Sequence, residues 1–101
     1  MAKDLSVSAL LDVYGAFLSG KQREMMIHYY NEDLSLAEIA ENEGTTRQAV
    51  SDIIRRGEAQ IKRYELECGY KAKISDLKSI CKSEISDDQK IKRISAVIDD
   101  F

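Results

Sequence analysis

The chain is predicted to be all-α, and three observations carry that expectation. No proline and only five glycines occur in 101 residues, so little interrupts a helix. Apolar residues recur at spacings of three and four, and no alternating β-branched run is present. Serines and threonines stand just ahead of several periodic stretches, where their oxygens can cap helix starts. A chain of this length buries one modest core.

Residues Ser6 to Leu18 are predicted as the first helix, with Leu10, Leu11, Tyr14, Phe17 and Leu18 on one apolar face. Ser19 opens a second helix with Gln22 as its capping-box partner. This helix reaches about Asn31, with Met26, Tyr29 and Tyr30 as its core and Met25 assisting.

The stretch from Leu34 to Arg63 organises the rest. Ser35 and Glu38 form an S-x-x-E capping box, and Leu34 can staple onto Ile39. That helix places Leu36, Ile39 and Ala40 together and stops at Gly44, which tolerates a left-handed backbone. Thr45 or Thr46 caps the next helix, whose stripe is Val50, Ile53, Ile54, Gly57 and Ile61. The small residues Ala40 and Gly57 belong where helices cross closely, with Ile39, Val50 and Ile53 as the core between them. An alanine, a glycine four on, then apolar residues six and nine further is helix-turn-helix spacing. The second helix continues through Ile61 and Tyr64 to Cys68, and Gly69 is its expected terminator.

The expected organisation is therefore a helix-turn-helix domain over 1–69, with its motif at 35–63, followed by a helical hairpin over 70–101. Ile74, Leu77, Ile80 and Cys81 mark one hairpin helix. Ser86 caps the other, with Asp87 and Asp88 favourable in its first turn and Ile91, Ile94, Val97, Ile98 and Phe101 on one face. Two short helices with one stripe each cannot stand alone. They must pack on the preceding helices or on a second copy, which makes a homodimer one expectation.

Composition excludes several function classes. Cys68 and Cys81 are too few and too irregularly spaced for a disulfide framework or a zinc site, so they read as incidental thiols in a reducing cytosol. No apolar run approaches the ~20 residues a membrane helix needs, and no signal core follows Lys3, so a cytoplasmic protein without membrane insertion is expected. His28 is the single histidine and lies in an amphipathic helix beside Tyr29 and Tyr30. No nucleophile–base pair, metal-ligand spacing or phosphate loop is visible, so no enzyme, metal or cofactor is implied. The tyrosines could stack on single-stranded bases, but Tyr14, Tyr29 and Tyr30 fall on core stripes.

The net charge of −3 runs against unassisted nucleic-acid binding, yet its distribution is uneven. From Thr46 to Arg63 there are five basic residues against two acidic ones, while Glu41 and Glu43 sit on the preceding helix. On the wheel, Gln48, Ser51, Asp52 and Arg55 lie opposite Val50, with Arg47 at the N-terminal edge. Arginine can pair bidentately with guanine and glutamine with adenine. Arg56, Lys62 and Arg63 are placed for phosphates, and Lys21 and Arg23 can touch phosphate at their own helix start. The plain alternative is a solvated basic face; the helix-turn-helix spacing favours nucleic-acid contact.

The motif resembles the fourth conserved region of bacterial sigma factors. The strings YGAFLSGKQRE, YYNEDLSLAEIAE, RQAV and RRGE are more specific still, and they are similar to the YlxM family of small bacterial proteins. The sigma-like resemblance implies a recognition helix in the major groove of double-stranded DNA. It implies base-reading or adjacent roles for Arg47, Gln48, Ser51, Asp52 and Arg55, and backbone roles for Thr46 and Arg56. The other sigma regions are absent, so it implies a regulator and not a sigma factor. Asp52 in the reading face would repel phosphate. The YlxM resemblance implies a link to the signal recognition particle pathway, with its RNA or protein as an alternative partner.

Overall fold

The computed structural model describes residues 3–101. They form six α-helices and no strand: α1 (Ser6–Tyr14), α2 (Gly20–Met26), α3 (Leu36–Glu43), α4 (Arg47–Cys68), α5 (Tyr70–Lys82) and α6 (Asp87–Asp99). The all-α fold expected from the sequence is the fold observed. By compactness the chain divides into one unit ending at Glu67 and a second from Cys68 to Phe101.

Local chemistry sets the helix ends. Asp4 Oδ1 accepts from the Ser6 N–H and hydroxyl at 3.0 and 2.7 Å, and this bonding holds the Asp4 carboxyl below its usual range. Ser19 with Gln22 and Ser35 with Glu38 both close complete capping boxes. Thr46 Oγ1 accepts from the Ala49 N–H at 3.1 Å, so Thr46 is the residue that caps α4. Ser86 Oγ does the same for Gln89 at 3.3 Å on α6.

Gly44 has φ +66°, with its N–H bonded to Glu41 O and the Thr45 N–H bonded to Ala40 O. This six-to-one and five-to-two pairing is the Schellman arrangement, which only a left-handed residue completes cheaply. Gly69, also at φ +66°, ends α4 after 22 residues.

The first two helices are less regular than their patterns. α1 ends at Tyr14 and tightens into a 3₁₀ turn over Gly15–Phe17. That turn cuts the 3.6-residue repeat short, so Phe17 is 64% exposed and is not core. It lies edge-on to Tyr64, ring centroids 6.1 Å apart. Val7, outside the expected stripe, is fully buried one turn earlier. α2 passes into a π-helical turn over Ile27–Asn31, with Glu32 N–H reaching back to Ile27 O at 3.0 Å. The wider turn lets the consecutive Tyr29 and Tyr30 both face inward, where both are buried. Asp33 then takes φ +57°, and its carboxylate pairs with Lys3 Nζ at 2.6 Å. Lys3 also sits 4.5 Å from the Tyr29 ring centre.

The core of the first unit is Val7, Leu10, Leu11, Tyr14, Leu18, Met25, Met26, Tyr29, Tyr30, Ile39, Ala40, Val50, Ile54 and Ile61. Full burial of each large aliphatic member is worth about 1.5–3 kcal/mol. Ile53 is only half-buried, and Ile54 takes the inner position expected of it. Gly57 is buried because α2 passes directly over it: a Cβ there would lie 2.4 Å from Met26 Sδ. The close crossing expected at this glycine is therefore with α2.

Two hydrogen bonds fix α4 in rotation and along its axis. Tyr14 Oη donates to Glu65 at 2.5 Å, and Tyr30 Oη donates to Glu58 at 2.7 Å. Glu58 and Glu65 are two turns apart on one side of the helix, so α4 cannot slide or roll without breaking both. Burial, reinforced by the Glu58 carboxylate, raises the Tyr30 hydroxyl pKa far above the ordinary tyrosine value.

In the second unit α5 and α6 pack against each other as a hairpin. Tyr70 stacks on Phe101 with centroids 5.8 Å apart. No residue of either helix is fully buried; Ile74, Leu77, Ile80, Ile94 and Val97 are intermediate, while Cys81, Ile91, Ile98 and Phe101 are exposed. Within the hairpin each helix covers only part of the other's apolar stripe.

Candidate nucleic-acid interface

α3, the Gly44 turn and α4 form the helix-turn-helix unit, and the outward side of α4 carries the polar residues of interest. Arg47, Gln48, Arg55 and Arg56 are exposed, and Asp52 is half-exposed between them. Gln48 Nε2 donates to Asp52 Oδ1 at 2.9 Å, and Arg56 Nε donates to the Asp52 carbonyl oxygen at 3.3 Å. Asp52 thus orients Gln48, while the Arg56 bond to its carbonyl folds that side chain along the helix. Thr46 is exposed, with its oxygen engaged as the cap and its O–H still able to donate.

Ser51 departs from the sequence expectation. It is 7% exposed, the one fully buried polar residue of the described chain. A 100° step from Val50 brings it beside the inner stripe, not opposite to it. It floors a shallow depression walled by Leu36, Arg47, Gln48 and Arg55. Leu36 and Arg47 also line an adjoining depression with Lys3, Tyr29 and Ser35 at the start of α3. Lys3 and Leu36 are not among the contact residues the sequence points to; Leu36, the first residue of α3, stands out in the sequence only as part of its helix's apolar face.

A separate shallow surface gathers Arg56 and Arg63 with Gln22, Ala59 and Gln60. Arg56, Gln60 and Arg63 fall at i, i+4 and i+7, a spacing that would have revealed Gln60 as their neighbour. Lys62 is committed elsewhere: its Nζ lies 2.8 Å from Glu58 and 3.2 Å from Asp4. Those partners, Glu58 foremost, raise its pKa. Lys21 Nζ lies 3.8 Å from Glu43 on α3, and Arg23 is exposed in the last turn of α2.

His28 Nδ1 is 2.7 Å from Glu32, and Nε2 is 3.7 Å from Glu24. The Glu32 hydrogen bond is the main cause of its raised pKa. Glu24, His28 and Glu43 place potential ligand atoms within 4.8 Å of one another, but Glu43 faces Lys21 and His28 already has its two carboxylates. Cys68 and Cys81 are free thiols. Among the described residues, no helix is long and apolar enough to cross a membrane.

Comparison with known proteins agrees with this architecture. A family model described as UPF0122, "Putative helix-turn-helix protein, YlxM / p13 like", matches residues 1–101. A UPF0122 protein of Clostridium kluyveri is 52% identical over 65 residues, covering 64% of this chain and 59% of its own length. One from Symbiobacterium thermophilum is 49% identical over 71 residues, covering 69% of this chain and 66% of its own. Over nearly the whole chain, 96% of it and 92% of the relative, a UPF0122 protein of Shouchella clausii is 38% identical. The chain belongs to the UPF0122 family of YlxM/p13-like helix-turn-helix proteins.

Proposed function

We propose that this protein is a non-enzymatic, cytoplasmic DNA-binding regulator of sigma region 4 type, which lays α4 in the major groove of duplex DNA. One observation carries the reading: Arg47, Gln48 and Arg55 stand exposed in a row on the outward side of a recognition helix whose start and rotation are fixed. In this reading Arg47 and Arg55 pair with guanine edges, and Gln48, held by Asp52, presents its amide to a base. Ser51 supports the surface from beneath. Thr46, Arg56 and Arg63 contact phosphate, and each of the two arginines makes the slope of log affinity against log salt more negative by about 0.9.

Selection from random duplex DNA at two salt concentrations tests the proposal. Arg55→Ala is expected to cost ~1–3 kcal/mol on the selected site and to relax one base position. If neither Arg47→Ala nor Arg55→Ala changes binding to any selected duplex, the reading is wrong.

A second reading takes up the acidic total of −3, which suits a protein partner better than a phosphate chain. In it the same fold holds RNA or protein of the signal recognition particle pathway. Parallel selection from RNA, and pull-down with and without nuclease, separates it from the first: partners retained after nuclease point to protein contact.

A further inference from the structure

Building on the duplex-DNA reading above, we infer that the hollow floored by Ser51 receives the major-groove edge of a thymine. Leu36 meets its C5-methyl, and the Ser51 hydroxyl donates to its O4. Ser51 is 7% exposed, yet its hydroxyl has no hydrogen-bond partner among the described residues. A helical serine commonly donates to the carbonyl one turn back; this one does not. Among the described residues, no side-chain polar atom is both sealed from solvent and unbonded. The hydroxyl therefore meets solvent, at the hollow it lines.

Leu36 is the apolar wall of the same hollow and is itself only half-buried. The hollow therefore suits an apolar group against Leu36 with a hydrogen-bonding atom beside it. When α4 enters the groove the hollow closes and Ser51 loses its water, so a base that offers the hydroxyl nothing is penalised. Thymine alone carries an apolar group on the major-groove edge, its C5-methyl, and that group adjoins the O4 acceptor. Cytosine satisfies the hydroxyl through its amine but brings no methyl to Leu36. Guanine and adenine set polar atoms at both positions.

Position along α4 says where that thymine stands. Ser51 lies four residues after Arg47 and four before Arg55. That is roughly 6 Å from each along the helix axis, and all three fall within about 80° of one another around it. Bases follow one another every ~3.4 Å along a strand. With α4 along the groove, the thymine therefore stands between the base pairs read by the two arginines, roughly two steps from each.

Binding of the full chain to the duplex it selects, with thymines replaced one at a time by deoxyuridine, tests the proposal. Deoxyuridine removes the methyl and nothing else. One replacement, between the pairs relaxed by Arg47→Ala and Arg55→Ala, is expected to weaken binding about fourfold, the worth of one buried methyl group. Leu36→Ala is expected to bring that ratio to one. Ser51→Ala is expected to keep the ratio but to bind the thymine duplex about fivefold more weakly, the worth of one hydrogen bond. The deoxyuridine series uses the unaltered chain and decides the matter if a variant loses helix. A chain that selects no duplex overturns the duplex-DNA reading together with this one. Four results overturn the thymine assignment alone: no thymine between those pairs, no loss on deoxyuridine there, an unchanged preference in folded Leu36→Ala, or a folded Ser51→Ala that binds as tightly as wild type.

Discussion

Replacing Gly57 with alanine sets two effects of opposite sign against each other, and the structure decides which prevails. Alanine in a helix interior is favoured over glycine by ~1 kcal/mol, so on an exposed face the change would stabilise. Here the new Cβ would lie 2.4 Å from Met26 Sδ and within 3.6 Å of Met26 Cγ and Cε. Met26 is itself 0% exposed, so its thioether can give way only by pressing on the core around it. Overpacking of this kind costs ~1–3 kcal/mol, so the net loss is about 1 kcal/mol. Urea unfolding followed by tyrosine fluorescence measures it directly. Met26→Ala removes the clashing atoms, at a cost of ~2–5 kcal/mol on its own. In that background Gly57→Ala should instead stabilise by ~1 kcal/mol. The double-mutant cycle should therefore show a coupling of ~1–3 kcal/mol. A Gly57→Ala protein more stable than wild type, or a cycle with no coupling, would refute the close α2–α4 crossing as the reason for this glycine.

The same unfolding experiments check further expectations. Thr46→Ala deletes the oxygen that caps α4 and should cost ~1 kcal/mol, whereas Thr46→Ser should recover most of it. Tyr30→Phe removes the hydroxyl bonded to Glu58 and should cost ~1 kcal/mol, because Glu58 retains Lys62. Burial raises the Tyr30 pKa in the folded chain above its unfolded value of about 10; stability should therefore fall as pH rises past about 10, and more steeply in wild type than in Tyr30→Phe. The raised His28 pKa acts in a lower window. Its stabilising share is complete below about pH 6.5 and is lost as pH rises through the folded pKa, so His28→Gln should flatten the stability profile there.

The caps were legible because each depends on residues within four positions of one another. Ser19 with Gln22, Ser35 with Glu38, Thr46, Gly44, Gly69 and Ser86 all act where the sequence places them. Most core residues followed from helical spacing for the same reason. Spacing failed where the backbone left the α repeat. Phe17 lies in a 3₁₀ turn, and the consecutive buried pair Tyr29 and Tyr30 needs a π turn that no local pattern announces. The tyrosine–glutamate bonds were invisible because Tyr14 and Glu65 are 51 residues apart, and Tyr30 and Glu58 are 28 apart. For the candidate interface, the exposure of Arg47, Gln48 and Arg55 agrees with the wheel, while the buried Ser51 shows how much a single 100° step matters at its edge.

The π turn at Ile27–Asn31 has a consequence for how this chain tolerates insertions and deletions. Such a turn is geometrically an α-helix that has absorbed one extra residue. Losing any one of those five positions could restore a regular ladder of hydrogen bonds, and would look harmless in a sequence comparison. It would also rotate Met25 and Met26 by ~100° against everything that follows, pulling the sulfur of Met26 away from Gly57 and Tyr30 away from Glu58. The local gain in regularity would be spent on misaligning two distant parts of the chain, so chain length at this point is as much a part of the fold's specification as any side chain.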